Sequence, residues 1–395
     1  MSALRTDPWK APSRICTLWL CTWTCAAGVG LARAHEKIEA ALRPFVESNE
    51  IAGAVAWVAD AERVLDVTTV GWADLESKRP MTPDTLFWIA SMTKPMTAAL
   101  IMMLQDERKL TVDDPVERYL PEFQNLPPSK DGTCTTPWLR HLLTHTSGLE
   151  TVPCSRWDAP LAEAVAAYAT RPLRFPPGSK WEYSNGGINT LGHIVEVVEG
   201  RPFAEVLQRR LLDSLEMRNT TFWPRGEQLE RLATSYARTT DGRLVATNIY
   251  FFSGPLDDPR RTPWPAGGLF STAEDYARFL QMLLNGGVWR GRRLLSVESV
   301  AAMTQTQTGE LATGFVPGMS FGFGVGVVRE PTGVTAALSP GSFGHGGAYG
   351  TQGWVDPVRR RIYVLMIQPQ GLRNADGSEI RRAFQDAALE VFSPR

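Results

Sequence analysis

Apolar positions recur along this chain with two periods, and the periods change where turn residues cluster. Over residues 36–47, Ile38, Leu42, Phe45 and Val46 fall on one side of a helix. Residues 51–59 form a short apolar run that predicts a strand. Residues 64–72 predict the next, joined to it through Asp60-Ala61-Glu62. Residues 84–89 lead into Thr97-Ala98-Ala99-Leu100-Ile101-Met102-Met103-Leu104, which is apolar all round and predicts a buried helix. Asp113, Asp114 and Pro115 punctuate the end of this first region. From Val116 to about Ser235 helical patterns dominate, over 138–143, 161–169, 187–198 and 203–212, with proline-rich connections such as Arg174-Phe175-Pro176-Pro177-Gly178. Residues 272–284 predict an amphipathic helix capped by Ser271 or Thr272, with Glu274 and Asp275 favouring its N-terminus. Residues 321–328, 348–355 and 362–367 predict strands, and 380–391 a closing helix.

That order predicts an α/β (α+β) architecture, an antiparallel sheet flanked by helices plus an inserted helical lobe. Residues 35–115 and 236–395 are expected to form the sheet domain, and 116–235 the helical domain. No solenoid repeat or low-complexity tract interrupts it.

Composition changes the picture only at the N-terminus. Of 395 residues 43% are apolar and the formal net charge is -1, which offers no electrostatic case for nucleic-acid binding. Arg5, Lys10 and Arg14 precede an apolar run over 15–31, and Ala32-Arg33-Ala34 resembles a cleavage site. Residues 1–34 therefore read as a secretory signal, giving a periplasmic or secreted protein. An uncleaved membrane anchor is one alternative and a cytoplasmic protein with a misassigned start another. Removing the signal would leave Cys134 and Cys154, a candidate disulfide or two free thiols.

Candidate chemistry centres on Ser91-Met92-Thr93-Lys94-Pro95. Pro95 suits a first helical turn, so Ser91 falls at or just before a helix N-terminus. A spacing of three puts Lys94 on the same side of that turn. A neutral lysine there can take the serine proton, and free helix N–H groups can stabilise developing negative charge. Tyr183-Ser184-Asn185 follows a Pro-Pro-Gly turn. Beside a lysine ammonium the Tyr183 phenolate is favoured and its pKa depressed. Asn185 can orient the lysine or a substrate carbonyl. Gly344-His345-Gly346-Gly347-Ala348-Tyr349-Gly350 is a glycine-dense entry to a strand, where substrate can approach the backbone and His345 can donate to an acyl group. His141 and His145 lack the spacing of a third metal ligand and read as a structural loop bordering the cleft. There is no Gly-x-Ser-x-Gly elbow and no phosphate-binding loop.

Taken together, Ser91-x-x-Lys94, Tyr183-x-Asn185 and His345-Gly346-Gly347 resemble the three motifs of the serine beta-lactamase-related family. The resemblance extends to residues 142–149 and 268–275, and it is nearest to class C-like hydrolases and family VIII carboxylesterases. It implies a beta-lactamase/transpeptidase-like fold, with the active cleft between sheet and helical lobe. It also implies attack by Ser91 on a carbonyl, an acyl-enzyme, and proton transfer shared by Lys94 and Tyr183, with no metal or cofactor. The Ser91 N–H and a backbone N–H near Tyr349 or Gly350 would form the oxyanion hole. His345 and Gly346 stand where that family has a lysine and a hydroxyl residue, which tilts the expectation from beta-lactams towards small uncharged esters. Trp181 and Trp354 are candidates for an apolar acyl pocket. A beta-lactamase, a D-amino-acid peptidase or amidase, and a non-catalytic penicillin-binding-like module are the other readings.

Overall fold

The computed structural model describes the backbone of residues 21–128, 132, 135–154, 156–372 and 375–392, with side chains from Ala34 onward. Its largest sheet has eight antiparallel strands. In chain order these are β1 (Gly53–Ala59), β2 (Val64–Asp74), β3 (Arg79–Pro80), β4 (Met319–Phe321), β5 (Gly326–Val328), β6 (Phe343–Gly346), β7 (Gln352–Asp356) and β8 (Arg361–Met366). They lie side by side as β4-β5-β6-β7-β8-β1-β2-β3. Pairing of β1 with β8, from Val55 with Met366 to Ala59 with Ile362, joins the two ends of the chain. Every residue of β1 is buried, because helices cover both faces there, and this is why it reads as an unbroken apolar run.

The helices that matter for the site are α1 (Cys21–Glu47), α2 (Lys94–Asp106), α3 (Leu139–Leu143), α4 (Asn185–Glu199), α5 (Ala273–Leu284) and α6 (Glu379–Phe392). α1 and α6 cover one face, where Ile38, Leu42, Ile380 and Phe384 meet Ala54, Ala56, Tyr363 and Leu365. α2 and α5 share a core with the other face, where Val55, Trp57, Val364 and Met366 point. The alternation of side chains along β1 divides 54 and 56 from 55 and 57. α4 packs on both α2 and α3, which brings the helical segment against the start of α2. Among the described residues no helix is long and apolar enough to cross a membrane.

Several expected boundaries are corrected. Residues 321–328 are not one strand but the hairpin β4–β5. Gly324 turns it with φ +77°, and a side chain at Gly322 would strike the Met303 carbonyl. Residues 348–351 form a turn, closed by Gly350 N–H to Gly347 O at 2.9 Å, and the strand begins at Gln352. The glycine-dense stretch before that turn is itself a strand, β6. The helix over 203–212 changes from α to π at Gln208. A small sheet of Ser235–Arg238, Leu244–Thr247 and Pro369–Gln370 was not foreseen. α1 begins well before residue 36. Cys134, the partner in the candidate disulfide, lies outside the described residues.

Candidate active site

Ser91 sits in a short 3-10 turn, Ala90–Thr93, that runs directly into α2. Ala90 adopts φ +46°, a conformation that costs a residue with a Cβ roughly 1–3 kcal/mol. The surroundings over-determine it. Thr93 Oγ1 donates to Ala90 O at 2.7 Å, Met92 N–H to Ile89 O at 3.0 Å, and Ile89 N–H to Leu269 O at 3.0 Å.

Lys94 begins α2 with no exposed surface. Its Nζ lies 3.0 Å from Ser91 Oγ and donates to the Ala266 carbonyl at 2.6 Å. Among the described residues no carboxylate offsets its charge, and burial pushes the amine well below its ordinary range. The neutral form has a lone pair to offer Ser91. Ala266 is positioned in turn by Asn189 of α4, whose Oδ1 accepts the Ala266 N–H at 3.1 Å while its Nδ2 donates to the Tyr168 hydroxyl at 3.1 Å.

Tyr183 reaches the same serine: its hydroxyl hydrogen-bonds to the Ser91 side chain, and its ring centroid is 4.7 Å from Lys94 Nζ. Burial, with the nearby Asp376 carboxyl as a smaller contribution, pushes its phenol far above the ordinary value. The expected depression is therefore overturned. It required an ammonium, and the burial that encloses the phenol also discharges the lysine. The motif is clamped from below by His145, which sits at φ +60°. His145 O accepts the Glu182 N–H at 2.9 Å, its Nδ1 accepts the Ser184 N–H at 3.2 Å, and its ring lies 4.4 Å from that of Tyr183. His141 Nδ1 instead accepts the Trp138 N–H at 3.1 Å, so the two histidines serve separate backbone turns. Ser184 caps α4, accepting the Gly187 N–H at 3.1 Å. Asn185 follows, but its side chain makes no hydrogen bond to Lys94; the Ala266 carbonyl has that task.

β6 forms the facing edge. His345 Nδ1 lies 2.7 Å from the Gly346 carbonyl and therefore carries the ring proton. Burial pushes its pKa down to about 3, and a proton on Lys94 would push it the same way, so the ring is neutral. Its Nε2 is left as a bare acceptor without a partner. The expectation that His345 donates to an acyl group is thus corrected. A side chain at Gly346 would collide with Asp376 Oδ1 and Gln352 Nε2, so the place of the family's hydroxyl residue is filled by the Asp376 carboxyl. Gly347 permits close approach, since a Cβ there would meet Thr351 Oγ1 and the Ile89 carbonyl beside the Ser91 turn.

Of the two oxyanion candidates after β6, the Gly350 N–H is already spent on Gly347 O. Among the described residues neither the Tyr349 nor the Ser91 N–H has a backbone acceptor. The Tyr349 ring is buried edge-on against Trp88 at 4.9 Å, and its hydroxyl accepts the Tyr250 N–H at 3.2 Å.

Trp181 belongs to the aromatic wall, with its ring 5.3 Å from Phe321, 5.9 Å from Phe315 and 6.2 Å from His145. Trp354 does not stand beside Ser91. Its neighbour Gly353 is the residue that packs towards Met92 and Tyr276, so Trp354 points to the other face of the sheet. There it stacks under Arg381, 4.1 Å from the guanidinium, and donates from Nε1 to Gln352 at 2.8 Å. It lines a side pocket with Phe315, Phe321, His345, Gly346 and Asp376. The chemical centre thus combines a serine hydroxyl, a discharged lysine, a protonated phenol and free backbone donors, a set suited to acyl transfer from an uncharged carbonyl.

Comparison with known proteins agrees with this geometry. The sequence model of the family described as Beta-lactamase matches residues 38–387. Protein Rv1367c of Mycobacterium tuberculosis is 36% identical over 365 residues, covering 84% of this chain and 89% of that protein. Esterase EstB of Burkholderia gladioli is 31% identical over 355 residues, covering 81% and 86%. The solved structure of EstCE1, described as a hydrolase with promiscuous acyltransferase activity, superposes with a TM-score of 0.78 at 26% identity. That match covers 92% of this chain and all of that one. Its fold, its motifs and these matches together establish that the chain belongs to the Beta-lactamase family, as a serine hydrolase of the beta-lactamase/transpeptidase-like superfamily.

Proposed function

We propose that this protein is a serine carboxylesterase that cleaves short- or medium-chain esters through an acyl-enzyme on Ser91. The observation that carries the reading is the clustered Ser91–Lys94–Tyr183 group facing a β6 edge where a neutral His345 stands in place of the family's lysine. The Tyr183 hydroxyl interacts with Ser91, and the neutral Lys94 amine takes the serine proton as Oγ attacks the ester carbonyl. The oxyanion is held by the Ser91 and Tyr349 N–H groups. Collapse expels the alkoxide, and the proton on Lys94 passes to it, with Tyr183 as the relay. Water then attacks the acyl-enzyme, gives its proton to the same pair and releases the acid, with the proton returning to Ser91. Because the two groups titrate together, the work belongs to the pair rather than to one member.

Selectivity follows from β6. A beta-lactam carries a carboxylate that needs charged or hydroxyl partners. A neutral His345 and a Gly346 backed by the Asp376 carboxyl supply none; Arg381 behind them is held by the Asp376 backbone carbonyl at 2.7 Å and stacked on Trp354, and Arg329 is tied elsewhere, to Gly309 O at 2.9 Å and Glu310 at 3.2 Å. Each missing charge-assisted bond is worth roughly 1.5–3 kcal/mol. The name and 31% identity of EstB support the same choice. The expected result is a higher kcat/KM for p-nitrophenyl butyrate than for nitrocefin; the reverse order favours a beta-lactamase.

Export belongs to the same proposal, with cleavage after Ala34 yielding a periplasmic or secreted enzyme that begins at His35. Sequencing the N-terminus of protein recovered from its host should give His35. An intact Met1 form in the cytoplasm would reject export.

A further inference from the structure

We propose that the lobe of the cleft beside Asn185, into whose wall Arg261 is built, receives an anionic group of the substrate: a carboxylate set away from the scissile carbonyl. This rests on the esterase reading above and names the substrate class within it. The lobe is an open cavity of about 490 Å³, walled by Trp157, Trp264, Tyr250, Phe251 and Phe252. It adjoins the reacting groups. Asn189 lines it and holds Ala266, whose carbonyl holds Lys94. Tyr250 lines it and lies near enough to act on the Tyr183 phenol.

Arg261 is 1% exposed, and among the described residues no acid offsets its charge. Its Nη2 donates to the carbonyls of Phe222 and Leu256, the latter at 3.0 Å, while Nε and Nη1 have no acceptor. The guanidinium lies 4.1 Å over the Phe252 ring, which covers it without neutralising it. Burial draws its pKa down to about 10, so it remains a cation at neutral pH. Burying a charge without a counter-ion is costly, and each unpartnered N–H of the guanidinium can give a carboxylate one charge-assisted hydrogen bond. No Asp or Glu lines the cavity, and Arg156 at its edge is already bonded to Asp158 at 3.2 Å. Behind β6 the Asp376 carboxyl and the Arg381 guanidinium face each other, whereas the cation in this lobe has no such partner among the described residues. An aromatic enclosure with a buried cation suits an apolar chain or ring that ends in a carboxylate. The competing role for Arg261 is purely structural, as a staple from its loop to Phe222 and Leu256.

The test uses the full chain and paired esters: p-nitrophenyl butyrate against p-nitrophenyl hydrogen glutarate, and phenyl butyrate against 4-carboxyphenyl butyrate. At least one carboxylate-bearing ester should exceed its neutral partner in kcat/KM by about tenfold, the size of one charge-assisted hydrogen bond. The advantage should shrink with added sodium chloride, and the charged-to-neutral ratio should fall by about the same factor in Arg261→Gln. A staple alone would lower both members of each pair equally. Preference for the neutral partner in both pairs, or a ratio unmoved by Arg261→Gln, overturns the proposal. If that variant does not fold, the wild-type ratio and its salt dependence decide. If no ester is cleaved, the esterase reading fails by itself. Calorimetric titration with 4-phenylbutyrate and 4-phenylbutanamide then judges this lobe without turnover: tighter binding of the anion is expected, and equal or weaker binding overturns it.

Discussion

Lys94→Ala should lower kcat/KM for ester cleavage by roughly 10²–10⁴-fold, the usual cost of removing a proton-transfer group. The lysine is the nearest base to Ser91, at 3.0 Å, and its second contact is a carbonyl, which orients the amine without charging it. A pH profile follows with a definite sign. The amine acts when neutral, so kcat/KM should rise with pH through the Lys94 pKa, which burial places well below 10.5. Stability should rise with pH in the same sense, and removing the amine should stabilise the fold while it lowers activity. The folded protein resists protonation of Lys94, whereas the unfolded chain takes up that proton below 10.5. Between the folded pKa and 10.5 the unfolded state binds more protons, so the wild type gains stability as pH rises. Lys94→Met, which keeps the apolar stem, should melt higher than the wild type at neutral pH, with a gap that narrows towards pH 10.5. Thermal melts and ester kinetics on the same samples check both halves. A near-parental rate in Lys94→Ala removes the lysine from the mechanism.

Tyr183→Phe should be comparably impaired, again by roughly 10²–10⁴-fold, while staying folded. Phenylalanine keeps the ring contacts with His145 at 4.4 Å and Phe315 at 5.0 Å, so only the hydroxyl is lost. With its phenol pushed up by burial, Tyr183 works as a protonated donor in the resting enzyme. Subtracting the ultraviolet pH titration of Tyr183→Phe from that of the wild type should therefore show no phenolate step below pH 10. A step in that range would restore a phenolate base and reverse the assigned roles.

The layered architecture was legible in the sequence because hydrophobic period and burial coincide. β1 is apolar throughout since it is covered on both faces, and α2 is apolar all round since it is enclosed. Ser91 and Lys94 were legible for a local reason, a fixed spacing at a helix start. What escaped depends on backbone atoms or distant segments. The carbonyl of Ala266 and the N–H of Tyr349 have no residue-type signature. The hairpin at Gly324 was hidden because the glycines alternate with apolar residues as a strand would. Asp376 meets Gly346 only after β7, β8 and the following turn bring the chain back to β6. The His345 tautomer is set by the carbonyl of its own neighbour, and the Tyr183 shift by an enclosure that sequence does not display. Trp354 reads in the sequence as an acyl-pocket candidate, and the pairing of His345 with Gly353, which turns Trp354 to the other face, is a matter of register that the sequence does not display.

The central claim is that Ser91 is acylated during ester cleavage. Acid-quenching the enzyme during turnover of p-nitrophenyl butyrate, then digesting it and mapping the peptides by mass spectrometry, reads this directly. A butyryl adduct is expected on the peptide containing Ser91, at Ser91 itself, and it should disappear together with activity in Ser91→Ala. Unmodified Ser91 in the presence of turnover, or full ester cleavage by Ser91→Ala, would contradict it.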